Sequence, residues 1–148
     1  MFTKIVVGID GSDHADRALR LACDLASKYG AELHLVHTPQ PQTVAFAMGA
    51  VAGYHVVTTM PSQEEVQAAA DKVINAGRTI ADECGCAVTE TYDKQGDPAD
   101  ELVACADACG ADLIVTGRRG LGNLGALVQG STTQRVNHLS KCACLSVV

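Results

Sequence analysis

The chain has 148 residues, carries a net charge of −6 and is 47% hydrophobic, yet only 3% aromatic. That apolar content at modest charge excludes a disordered chain. Five aromatics, no Trp and an acidic balance exclude a stacking groove for single-stranded nucleic acid, which needs basic walls interleaved with aromatic rings.

Residues 4–10 (KIVVGID) are a short β-branched run, the pattern of a strand buried on both faces. Gly11-Ser12 makes a turn, and Ser12 or Asp13 caps a helix on which Ala15, Ala18, Leu19, Ala22, Leu25 and Ala26 recur at helical spacing until Gly30. Residues 31–37 (AELHLVH) read as a second strand. The stretch 39–61 has two prolines at its start and one at its end, and reads as a long loop: a surface insertion, or a lid or partner-docking segment. Ser62-Gln-Glu-Glu65 is a capping box, opening a helix that runs to Cys84 and Gly85. Residues 87–92 form a third strand. Asp97-Pro98 starts a helix to about Cys109, and 112–116 (DLIVT) form a fourth strand. A glycine-rich loop spans 117–130, Ser131 starts a last helix to about Leu139, and 144–148 close the chain as a fifth strand. This alternation implies an α/β fold with an open five-stranded parallel sheet and helices on both faces. At this length one domain, 1–148, is expected, able to bury roughly 70% of its unfolded surface.

No segment reaches the roughly 18 uninterrupted apolar residues of a membrane span. The longest candidate, 44–57, holds His55 and two glycines. The first ten residues lack the apolar stretch of a secretory leader, so a cytoplasmic location is expected, with the seven cysteines as reduced thiols.

Ligands of open parallel sheets sit beyond the carboxyl ends of the strands, where strand order reverses. Two strand ends carry unusual residues here: Asp10, and Gly117 at the head of the glycine-rich loop. Glycine lets backbone amides approach a bulky anion, and Gly130-Ser131-Thr132 sets amides and two hydroxyls at a helix start, where the dipole favours negative charge. Charge position agrees. All 17 acidic residues lie at or before Asp112, and the last 36 residues hold only Arg118, Arg119, Arg135 and Lys141, so a body of −10 precedes a tail of +4. A P-loop NTPase is excluded by the lack of any Gly-Lys pair. The literal G-x-G-x-x-G at Gly120-Leu-Gly122-Asn-Leu-Gly125 follows the fourth strand with no acidic residue downstream, so the dinucleotide reading fails.

The spacing Gly117-x2-Gly120-x9-Gly130-Ser131, the opening KIVVGIDGS, the strand LHLVH and the stretch GDPADELVACADACGADLIVTGRRG together resemble the ATP-binding subclass of universal stress proteins over essentially the whole chain. The resemblance implies a Rossmann-like sheet in the order 3-2-1-4-5, and ATP or another adenine nucleotide as ligand, with Mg2+ or Mn2+ at the phosphates. It implies that Asp10 meets the nucleoside or the metal shell without ligating the ion directly. Thr38 lies against adenine, Gly117 and Gly120 cradle phosphate and ribose, and Gly130, Ser131 and Thr132 bind phosphate oxygens. Arg118 and Arg119 fall inside the motif at variable positions, and a phosphate contact from them is inferred from position alone. Ala15, Val36 and Val115 fit an aliphatic adenine wall or the core. The resemblance also implies a homodimer through the C-terminal strand, although Cys142-Ala143-Cys144 departs from the family's usual Cys-Pro-Val. A regulatory stress-response module is the function implied, with an unnamed protein partner. A weak metal-dependent ATPase, or a nucleotide-free thiol or metal sensor, are the alternatives. For the last, Cys84/Cys86 and Cys142/Cys144 form two C-x-C pairs, but they lack the two-residue spacer common in zinc sites. Buried thiols acting as small hydrophobes are far more common than such sites. His34 and His37, three apart in a strand, point to opposite faces and so do not form a metal pair.

Overall fold

Short β-branched runs set between amphipathic helices fold as their pattern dictates. The computed structural model describes residues 1–49, 61–121 and 130–148. Strands β1 (Lys4–Gly8), β2 (Glu32–His37), β3 (Val88–Asp93), β4 (Leu113–Gly117) and β5 (Ala143–Val147) make one sheet in the order β3-β2-β1-β4-β5. All four pairings are parallel. The expected 3-2-1-4-5 arrangement is therefore present. The helices are α1 (Asp13–Tyr29), α2 (Pro41–Ala47), α3 (Gln63–Glu83), α4 (Pro98–Cys109) and α5 (Ser131–Leu139).

Side-chain alternation along each strand divides the core in two. Ile5 and Val7 of β1 join Leu33, Leu35, Leu113 and Val115 against α1 and α3. Val6 faces the other way, with Val36 and Ile114, against Leu102 and Ala106 of α4 and Val136 of α5. Both faces of the central strands are thus covered, which is why their sequences are nearly unbroken apolar runs.

The helix ends follow local chemistry. Ser12 Oγ accepts the Ala15 amide at 3.3 Å to start α1, and Gly30 closes it in the left-handed conformation. The Ser62–Glu65 capping box is formed in both directions, at 3.2 and 2.7 Å. Asp112 stands just outside β4, because its carboxylate accepts from the amides of Thr3 and Lys4 and from the Thr3 hydroxyl.

The segment 39–61 departs from its reading as loop. It contains α2, with Pro41 at a position where a missing N–H is harmless. Thr43, Val44 and Ala47 are buried. Lys72 of α3 donates to the Ala47 carbonyl at 2.7 Å, closing the end of α2. Flanking prolines concealed a helix of about two turns whose stability comes from packing on α3. Residues 50–60 lie outside the described residues, and so do 122–129, most of the glycine-rich loop.

Gly77 sits in the middle of α3 where the helix crosses the sheet. A Cβ there would meet Ile9 Cδ1 at 3.0 Å and Leu35 Cδ1 at 3.3 Å, both buried side chains. Gly77→Val is expected to destabilise the fold by about 1–3 kcal/mol through overpacking, read as a lower urea midpoint. An unchanged midpoint would refute this packing.

Candidate functional site

β1 and β4 lie side by side, and their crossovers leave the sheet on opposite faces, through α1 and α5. This opens a crevice at the carboxyl ends of the strands. A cavity of about 600 Å³ occupies it. One wall is apolar, built from Ile9, Ala15, Val36 and Leu102. Val115 is not part of that wall: it is fully buried beneath the sheet. The opposite side is formed by Gly117, Arg119, Gly120, Gly130, Ser131 and Thr132. Asp10 and Thr38 also line the cavity, so eight of the nine residues expected at the site converge. The ninth, Arg118, is exposed and does not line it. Its backbone is structural, donating to Val147 O at 2.6 Å and accepting from Gly130 N at 2.8 Å.

The N-termini of α1, α4 and α5 border the cavity, and their capping differs. Ser12 serves the first turn of α1. Asp97 Oδ1 accepts the Ala99 and Asp100 amides at 3.0 and 3.2 Å, closing α4. At α5 the capping position is Gly130, which has no side chain, and no side-chain cap bond is made. The Ser131 and Thr132 amides therefore begin a helix whose positive end has no side-chain oxygen of its own. Gly130 itself corrects the expectation of a free amide there, because its N–H is bonded to Arg118 O.

Gly117 also has a role that spacing did not reveal. A Cβ at this position would stand 2.7 Å from the His14 carbonyl carbon and 2.8 Å from the Ala15 nitrogen. Its lack of a side chain lets the first turn of α1 close onto the end of β4. Thr133 donates to Gly117 O at 2.8 Å and holds α5 to the same point. Asp10 is both turn-former and cavity residue. Its Oδ1 accepts the Ser12 amide at 2.9 Å, while its Oδ2 sits where a side chain on Gly120 would fall.

Sequence reading missed Gln40, Thr43, Asp97, Thr116 and Arg135, which also line the cavity. Gln40 and Thr43 belong to the stretch read as loop, and Asp97 was legible only as a cap. Arg135 forms a two-pronged bond to Asp100 at 2.8 and 2.9 Å and reaches Asp97 at 3.4 Å. Lys141 pairs with Asp107 at 2.7 Å. The +4 tail is thus partly neutralised by acids of α4, and Arg119 is the cavity cation for which no acidic partner is found among the described residues.

Gly117→Ala is expected to lower stability by about 2 kcal/mol, because the added methyl strikes backbone rather than a flexible side chain. Gly120→Ala should change it by less than about 1 kcal/mol, because the Asp10 carboxylate can rotate away. Equal losses of denaturation midpoint in the two variants would contradict this assignment.

The universal stress protein family model matches residues 1–147. The chain is 33% identical over 150 residues to universal stress protein YxiE of Bacillus subtilis, covering 99% of each chain. It is 34% identical over 148 residues to a universal stress protein of Thermus aquaticus, again covering 99% of each. A solved universal stress protein described in complex with cAMP superposes with a TM-score of 0.70 at 28% identity, covering 99% of this chain and 97% of that one. Sheet order, the crevice at the β1/β4 switch point and these matches agree: the chain belongs to the universal stress protein family.

Proposed function

We propose that the chain binds ATP, or another adenine nucleotide, in the β1/β4 cavity and acts as a regulatory module of the stress response. The observation that carries this reading is the uncapped start of α5. It faces a cavity of nucleotide size whose other wall is aliphatic. The phosphates would lie on the Ser131 and Thr132 amides and hydroxyls, with Arg119 beside them. The base would lie toward Ala15, Val36 and Thr38. A relative at 28% identity described with cAMP supports the ligand class.

Asp10 and Asp97 are the described carboxylates that line the cavity. One oxygen of each is already engaged by backbone amides, at Ser12 and at Ala99 and Asp100. Among the described residues no group of three metal-binding side chains occurs. The donors fit a hydrated Mg2+ or Mn2+ carried by the phosphates, with Asp10 accepting from its water rather than ligating it. Such an ion would neutralise phosphate charge. Slow hydrolysis is the most this arrangement supports, because the Asp10 carboxylate is half engaged in the turn.

β5 lies at the edge of the sheet, and a homodimer formed through it, in the cytoplasm, completes the proposal. No described helix is long and apolar enough to cross a membrane.

Calorimetric titration of the full chain with ATP and Mg2+ tests the site. Ser131→Ala with Thr132→Val is expected to weaken ATP binding about tenfold or more, since bonds to a charged phosphate contribute about 1.5–3 kcal/mol each. The fold should remain intact. Absence of binding at millimolar ATP, or unchanged affinity in the double variant, would reject the site. Sedimentation at twice the chain mass checks the dimer.

A further inference from the structure

Two hydroxyls in the cavity lining have their protons fixed in direction. Thr116, near the end of β4, and Thr133, in the first turn of α5, both line the cavity and are only 7% and 3% exposed. The Thr133 hydroxyl donates to Gly117 O at 2.8 Å. A carbonyl has no proton to give, so the single Thr133 proton is committed there and its oxygen can only accept. The Thr116 hydroxyl donates to that oxygen over a longer 3.4 Å, which commits its own proton. Among the described residues no group donates to Thr116 Oγ1. What Thr116 offers a ligand is therefore lone pairs alone.

The sheet register says which part of a ligand meets it. Gly8 of β1 and Val36 of β2 are partners, and Val7 of β1 pairs with Val115 of β4. The next residues, Gly8 and Thr116, stand level, so Val36, Gly8 and Thr116 form a row across three adjacent strands. Alternation puts the row on one face, because Val6, Ile114 and Val36 share the core toward α4 and α5. Neighbouring strands lie about 4.8 Å apart, so Thr116 is about 10 Å from Val36 across the row. Gly8 has no side chain to fill the gap. A Cβ there would meet Leu102 Cδ2 at 3.1 Å and Thr116 Cγ2 at 3.8 Å. With the base toward Val36 and the phosphates at the start of α5, the sugar that joins them spans Gly8 and Thr116.

We propose that Thr116 accepts a hydrogen bond from a ribose hydroxyl, and that the site thereby selects ribonucleotides over deoxyribonucleotides. The inference rests on the nucleotide reading above and adds the sugar to it. Phosphate oxygens and the ring nitrogens of the base bring lone pairs and gain nothing from Thr116. A sugar hydroxyl brings the donor that this oxygen lacks. The adenine amino group, the other donor of the nucleotide, goes with the base toward Val36 and Thr38. A buried acceptor placed for an O–H discriminates against the analogue that has C–H there. Thr116 is also held in place. Its β-branched side chain is stiff at χ1, and Thr133 ties it to Gly117, the residue that positions α1 and α5.

Calorimetric titration of the full chain with ATP, 2′-deoxyATP and 3′-deoxyATP, each with Mg2+, tests the assignment. The parent chain is expected to bind ATP about three- to tenfold more tightly than at least one deoxy analogue, the effect of one hydrogen bond. Thr116→Val, which keeps the shape and removes the hydroxyl, should close the gap to within about twofold by weakening ATP alone. Thr116→Ser should keep the gap. The proposal is overturned if the parent binds all three ligands equally, if Thr116→Val retains the gap, or if that variant weakens all three alike, as a purely structural role would. Equal binding of the three leaves the nucleotide reading standing, whereas no binding of any of them by the parent removes both.

Discussion

The close approach at Gly117 is the constraint on which the site depends. The first turn of α1 lies so near the end of β4 that no Cβ fits between them. The carbonyl of the same glycine receives the Thr133 hydroxyl from α5. One residue thus sets the positions of the two helix N-termini that flank the crevice. Because β1 and β4 are neighbours whose connections leave on opposite faces, that crevice cannot be filled by a crossover. The cavity follows from topology, and its width follows from Gly117.

Capping decides where negative charge is favoured inside the cavity. α1 and α4 satisfy their first-turn amides with Ser12 and Asp97. α5 has glycine at that position and no side-chain acceptor. The simple picture of an acidic body with a basic tail is too coarse by comparison. Arg135 and Lys141 are held by acids of α4, which leaves the α5 amides and Arg119 as the sources of positive potential at the cavity among the described residues. Exposed pairs of this kind contribute little to stability. Their effect is to fix Arg135 at the rim and tie α5 to α4.

Spacing in the sequence drew attention to the two C-x-C pairs, which the sheet keeps apart: Cys84 and Cys86 pack on the face of α1 and α3, Cys142 and Cys144 on the face of α4 and α5. No local spacing encodes that separation, because it depends on which face of the sheet each segment joins.

Patterns governed by short-range physics were legible from the residues alone. Strand and helix alternation, the Ser62 capping box, the Asp97-Pro98 helix start and the Gly30 stop all depend on neighbours a few positions apart. So did the separation of His34 and His37, which are both buried, one stacked on Tyr92 and the other bonded to the Ile9 carbonyl. The glycine spacing from 117 to 130 likewise marked a strand end and a helix start that both border the cavity. What tertiary structure alone decided were relations between distant elements. These include the packing of α2 on α3, the steric role of Gly117 against α1, the loss of the Gly130 amide to Arg118 and the exclusion of Arg118 and Val115 from the cavity. Each depends on which surfaces meet after the sheet has formed, and no local periodicity encodes that.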